Sequence, residues 1–254
     1  MKLTIGMAAY NDYEGVYFTI QALRMFHDLT DCEIIIVDNY GDSKLKNFVD
    51  AWLTGKEIPV RYIEYLENVG TTQPREQIFK HSEGELTICI DSHVMLMPGS
   101  LDRLWEGDDL IHGVMLYDDL KTPVTHMDPE WRSDMWGVWA TQDPIPDEPF
   151  EIPMHGLGLF GCRTEAWLGF HPEYRGFGAD EGYIHEKYRR AGRKVLCLPW
   201  MRWIHLFRNG TGYPINIQDR VRNYLLGFKE LEMDPAPIYD HFGVQLVNRI
   251  EATM

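Results

Sequence analysis

Four strand-length runs dominated by apolar residues, Leu3 to Ala8, Glu33 to Val37, Val60 to Ile63 and Leu86 to Ile90, alternate with segments of helical spacing. This alternation constrains the fold more than any other feature of the 254-residue chain. Runs without a polar residue at every second position belong to strands buried on both faces. Between the first two, Val16, Ile20, Leu23 and Phe26 recur at the spacing of one helix face. Leu45 to Leu53 and Gln73 to His81 read as two further helices. A strand–helix–strand repeat demands a parallel sheet with right-handed crossovers, and it places a ligand site beyond the carboxyl ends of the strands.

The second half is less regular. Tyr117 to Glu151 carries five prolines, several acids and Trp131, Trp136 and Trp139 with little periodicity, so it reads as a long irregular segment. Such a segment within a compact chain is more often functional than idle. Gly156 to Gly161 and Val195 to Leu198 read as strands, and Glu181 to Ala191 as a helix. Val221 to Glu232 reads as a C-terminal helix with Leu225, Phe228 and Leu231 along one face. There is no internal repeat and no low-complexity linker.

The net charge of −15 argues against a broad phosphate-binding surface, because nonspecific nucleic-acid binding rests on Lys and Arg. A local basic pocket is still compatible with it. Cys32, Cys89, Cys162 and Cys197 sit singly in apolar runs, the pattern of small core residues in a reduced, intracellular protein. No stretch reaches the roughly 20 apolar residues needed to cross a bilayer. The N-terminal residues run directly into a strand pattern rather than a signal peptide. The expectation is a cytoplasmic protein.

Asp91-Ser92-His93 follows the fourth strand, and alternate strand side chains share a side, so Asp91 and His93 can aim at one point while Ser92 faces away. A carboxylate and an imidazole suit a divalent metal of the Mn²⁺ type, and His205, after a later strand-like run, could close the site. The alternative is polar termination of a buried strand and a packed histidine. Asp38 ends the second strand, where it would accept hydrogen bonds from a nucleotide base or ribose, or else initiate a turn. Asn68-Val69-Gly70 and Arg75 read either as a loop with a phosphate-facing guanidinium or as a turn and a solvated helix. Asp180-Glu181 begins a helix, where acids complement the dipole; the functional reading is a general base for an acceptor hydroxyl.

The order of these pieces resembles the GT-A fold glycosyltransferases, both the family 2 type and the polypeptide N-acetylgalactosaminyltransferases. Ile5 to Asp12 is similar to the opening "PAYNE" strand, Glu33 to Asn39 to "EIIVVDD", and Asn68 to Arg75 to "NxG…AR". Gly84 to His93 resembles "GEyilflDxD", and Ile152 to Phe160 resembles "P-M-A-G-G-L-F". Gly178 to Glu181, followed by Gly192, resembles "GGED…aG", and His205 to Arg208 resembles "H-x-F-R".

The resemblance spans about residues 3 to 230. It implies an α/β GT-A (Rossmann-like) fold with a mixed, mainly parallel sheet flanked by helices. The single domain would comprise a nucleotide-binding half (1–100), an acceptor and catalytic half (101–220) and a C-terminal helix and tail (221–254). It further implies that Asp38 contacts the base, that Arg75 and Arg208 lie near the nucleotide phosphates, and that Asp91, His93 and His205 bind Mn²⁺ (or Mg²⁺). Gly156 and Gly158 would let the backbone approach the donor sugar.

The implied activity is transfer from a nucleotide-diphosphate sugar, a UDP-sugar first, to a hydroxyl. The acceptor would be a glycan or lipid-linked sugar first, a modified nucleic-acid base second and a protein third, seated by Trp131, Trp136 and Trp139. The acidic pair is exchanged relative to the usual "ED", which favours Glu181 over Asp180 as base. Asp-x-His with a later His is the retaining pattern, whereas the chain's shortness suits the inverting group, so the stereochemistry stays open. The runner-up readings are a sugar nucleotidyltransferase and a catalytically inactive sugar-nucleotide or glycan-binding module.

Overall fold

The computed structural model describes residues 1–53, 58–67, 70–207 and 214–254. The elements run β1 (Leu3–Ala9), α1 (Tyr13–Phe26), β2 (Cys32–Asp38), α2 (Ser43–Phe48), β3 (Val60–Glu64), α3 (Thr72–His81) and β4 (Leu86–Asp91). Then follow β5 (Val94–Leu96), β6 (Leu110–Leu116), β7 (Pro123–Val124), β8 (His126–Arg132), β9 (Met135–Ala140), β10 (Phe150–Glu151) and β11 (Leu159–Arg163). The chain closes with α4 (Asp180–Arg190), β12 (Val195–His205), α5 (Ile217–Glu230), α6 (Ala236–Phe242) and α7 (Val244–Glu251).

The main sheet has the order β10-β12-β6-β11-β4-β1-β2-β3, with β5 on β12 and β7 on β6. β4, β1, β2 and β3 form the parallel block that the sequence predicts. Burial on both faces explains why these strands read as continuous apolar runs. In β2, Ile34 and Ile36 enter one core while Ile35 and Val37 enter the other. β11 is antiparallel to both β4 and β6, and β12 is parallel to β6, so the sheet is mixed. The four cysteines are buried and unpaired. No helix among the described residues is long and apolar enough to cross a membrane.

Three expectations are corrected here. Tyr117 to Glu151 is not irregular: β8 and β9 form a separate two-stranded sheet. The strand expected over Gly156 to Gly161 begins only at Leu159. The run beginning at Val195 continues as one strand to His205, with its pairing to β6 shifting register between Leu198 and Arg202 around Pro199. That continuation carries His205 to the site.

Candidate active site

Two pairings assemble the metal-type cluster. β4 ends at Asp91, and Asp91 N–H donates to Gly158 O at 2.9 Å. The chain turns through Ser92 and His93 into β5, which pairs His205 with Val94; Leu206 N–H donates to His93 O at 3.2 Å. Asp91, His93 and His205 thereby each bring one ligand atom within 4.8 Å of the others, the single such group of His, Cys, Asp or Glu among the described residues. His205 Nε2 lies 3.3 Å from Asp91 Oδ2, while its Nδ1 is buried without a hydrogen-bond partner among the described residues. One carboxylate and two imidazoles converging from strand ends fit a divalent ion of the Mn²⁺ class. Ser92 does not face solvent: it is buried and donates to Asp12.

Arg75, on α3, ties this cluster to the acidic helix start. Its guanidinium reaches Asp91 Oδ1 at 2.8 Å, Asp180 Oδ2 at 3.1 Å and Leu157 O at 3.1 Å. Burial alone would raise the Asp91 carboxyl, but Arg75, with His205 and His93, holds it far below the ordinary carboxylate value. α3 and α4 are brought together by their leading loops. Gly70 bridges Gly176, and a Cβ at Gly70 would lie 2.7 Å from Gly176 O, so only glycine allows the approach. Thr71 Oγ1 then donates to Asp180 Oδ2 at 2.9 Å. Ala179, just before α4, sits at φ 75°, a conformation that costs a residue with a Cβ and that recurs at functional sites.

Asp180 and Glu181 differ in their contacts. Asp180 is 1% exposed, and its Oδ2 is taken by both Thr71 and Arg75. Both acids line a cavity of about 910 Å³ that also takes in Asp91, His93, His205 and Arg75. Burial first, and then the charge of Asp180, push the Glu181 carboxyl well above its ordinary value.

The other expected residues separate. Gly156 and Gly158 line the cavity, but the room they leave is already used. A Cβ at Gly156 would collide with Trp139, and one at Gly158 would come within 3.0 Å of Trp203 and 3.2 Å of His205. Trp139 lines the cavity; Trp131 and Trp136 do not. Trp131 stacks on His241 of α6 at 4.5 Å, and Trp136 packs on Phe228 of α5 at 5.7 Å. They brace the β8–β9 hairpin against the C-terminal helices. Asp38 is also away from the cavity lining. Its carboxylate accepts from the N–H groups of Tyr40 (2.9 Å), Gly41 (3.0 Å) and Asp42 (2.7 Å) and from the Tyr62 hydroxyl (2.7 Å), which is the turn-forming alternative. Arg208, like Asn68 and Val69, lies outside the described residues.

Sequence reasoning missed Asp12, Thr71 and the cavity-lining Tyr10, Met127, Met135 and Phe177. It also missed three fully buried histidines behind the cavity floor. His112 Nε2 is 2.9 Å from His185 Nε2, the rings of His112 and His155 stack at 5.2 Å, and His155 N–H donates to His185 Nε2 at 3.2 Å. Burial pushes His155 down to about 4 and His185 down to about 3, and burial with the neighbouring histidines lowers His112 well below its ordinary value.

Residues 4–110 match the model of the family described as "Glycosyl transferase family 2". By structure the chain is similar to GalNAc-T7 with UDP, GalNAc and Mn²⁺ (TM-score 0.71, 16% identity), covering 90% of this chain and 48% of that one. It is also similar to TarS 1-349 of S. aureus in complex with UDP-GlcNAc (TM-score 0.62, 14% identity, 98% and 71% covered). A third likeness is to the mannosyltransferase PcManGT of Pyrobaculum calidifontis in complex with GDP-Man and Mn²⁺ (0.61, 14%, 99% and 73%). The chain thus spans about half the length of GalNAc-T7. No curated protein sequence matches. These likenesses show the GT-A fold.

Proposed function

We infer that this chain, a family 2-like glycosyltransferase of the GT-A fold, moves a sugar from a nucleotide-diphosphate donor, a UDP-sugar in the first instance, to an acceptor hydroxyl. The observation that carries this reading is one cavity holding both the Asp91–His93–His205 cluster and the raised carboxyl of Glu181. Asp91, His93 and His205 would hold Mn²⁺ or Mg²⁺, which when bound supplies Lewis-acid stabilisation of a departing diphosphate.

The chain's own residues account for the rest. Glu181 accepts the acceptor's hydroxyl proton as the oxygen bonds to the anomeric carbon, while the bond from that carbon to the diphosphate oxygen breaks and its electron pair leaves with the nucleotide. Arg75 fixes Asp180, and so the first turn of α4 that carries Glu181, relative to Asp91. Trp139, Met127, Met135 and Phe177 form the apolar wall on which an acceptor would lie, and a glycan or lipid-linked sugar fits it first. The charge of −15 weighs against a duplex acceptor.

Thermal melting with UDP and Mn²⁺, separately and together, tests the donor side. Saturation at 100 times Kd contributes about 2.7 kcal/mol, which for a chain of this size is a rise of about 5–10 °C. The rise should come mainly with the pair. No shift with either UDP or GDP plus metal would overturn the reading.

A further inference from the structure

Asp12 stands at the start of α1, where an aspartate ordinarily caps its own helix, yet its side chain makes no cap bond. The carboxylate, on a residue only 7% exposed, turns instead to the far strand. Its Oδ2 accepts from Ser92 Oγ at 2.5 Å and from His93 Nδ1 at 2.7 Å. The space it occupies exists because residue 15 has no side chain: a Cβ there would come 2.7 Å from Asp12 Oδ1 and closer still to Oδ2. Asp12 and Gly15, one turn apart on α1, therefore act as a unit.

The consequence is a choice of nitrogen. A carboxylate can only accept, so the Asp12 contact selects the tautomer with its hydrogen on Nδ1 of His93 and leaves the lone pair on Nε2 for the cluster with Asp91 and His205. A carboxylate behind an imidazole ligand fixes the ring's tautomer and angle and raises its basicity toward a metal. His205 has no such carboxylate among the described residues, where its Nδ1 is buried without a partner.

We propose that Asp12 is the positioning residue of the metal centre, holding His93 in its ligating tautomer, and that Gly15 keeps the space the carboxylate needs. The proposal rests on the metal reading above. It makes the first strand's loop, and not only the Asp91 turn and β12, part of the metal apparatus.

The test is Mn²⁺ titration of the full chain by calorimetry and by the manganese paramagnetic resonance signal, with and without UDP. Asp12→Asn keeps the shape and an acceptor for His93 but removes the charge. It should weaken Mn²⁺ binding about 10–100-fold. Gly15→Ala leaves Asp12 intact but displaces its carboxylate, so it should weaken binding in the same direction. Asp28→Asn, on an exposed loop, should change nothing.

Melting without metal identifies a variant that has merely lost its fold, and the other variant then decides. Wild-type affinity in both folded variants would overturn the role of Asp12. A wild-type chain that takes up no Mn²⁺ would instead overturn the metal reading on which it rests.

Discussion

Glu181→Gln is expected to lower sugar transfer by about 10²–10⁴-fold while leaving binding of UDP with Mn²⁺ unchanged. The two adjacent acids are not equivalent. Both line the cavity, but Asp180 is held by Thr71 and Arg75 and cannot turn to an acceptor without giving up both bonds, whereas no such pair of bonds holds Glu181 among the described residues. A glutamine preserves size and hydrogen bonding but cannot take a proton.

The pH profile has a definite sign. Glu181 works as a carboxylate, and burial beside Asp180 raises its proton affinity. The rate should therefore fall as pH drops through a value above the ordinary glutamate range, and the residual activity of the glutamine variant should lack that limb. If Glu181 is the base of a single displacement, as proposed, the product's anomeric configuration should be inverted; retention would exclude that mechanism. Full turnover by the glutamine variant, with product forming at the wild-type rate, would refute the assignment.

Mild acid should unfold the chain through its interior histidines. His155, lowered to about 4, and His185, lowered to about 3, are neutral in the fold but have ordinary values near 6.5 when exposed. Between those limits the unfolded chain binds more protons than the folded one, so stability is complete above about pH 6.5 and falls as pH falls. Each histidine still uncharged contributes about 1.4 kcal/mol per pH unit. His112 acts in the same direction, so the loss is a sizeable share of the total of about 5–15 kcal/mol for a typical domain.

His27 and His171, also lowered, act in the same direction. The depressed carboxyl of Asp91 acts only in stronger acid, whereas the raised carboxyls of Glu181 and Glu76 hold protons in the folded chain across the interval from about pH 6.5 to 4.5 and offset part of the histidine effect. Urea unfolding across that interval should show net proton uptake. His155→Asn, which keeps a donor for Gly156 O, should flatten the slope by about one proton's worth. A midpoint that stays level from pH 7 to 4.5 would exclude this account.

How much of this was legible in the sequence depends on the distance between partners. The parallel block was legible because each strand carries its own signal: Ile34 to Val37 is apolar whichever neighbour it finds. Asp91, His93 and His205 were legible as residue types, but their convergence depends on the β5–β12 pairing, which no local pattern announces. The β8–β9 hairpin escaped notice because Asp128, Pro129 and Glu130 interrupt its alternation, and its aromatic residues find their partners on α5 and α6, about a hundred positions later. Asp12 reads locally as a turn residue, and its partner lies 81 positions away. Asp38 shows that a strand-end acid can also satisfy its own turn, a local bond the sequence offers as readily as a ligand contact.

The β8–β9 hairpin forms a sheet of its own, with Trp131 and Trp136 fastened to the C-terminal helices while Met127, Met135, Val138 and Trp139 face the cavity. The donor-side groups sit on β4, β12, α3 and α4, none of which belongs to that sheet. On the proposed reading, cavity-facing residues of the hairpin could be exchanged to suit a different acceptor without moving Asp91, His205, Arg75 or Asp180.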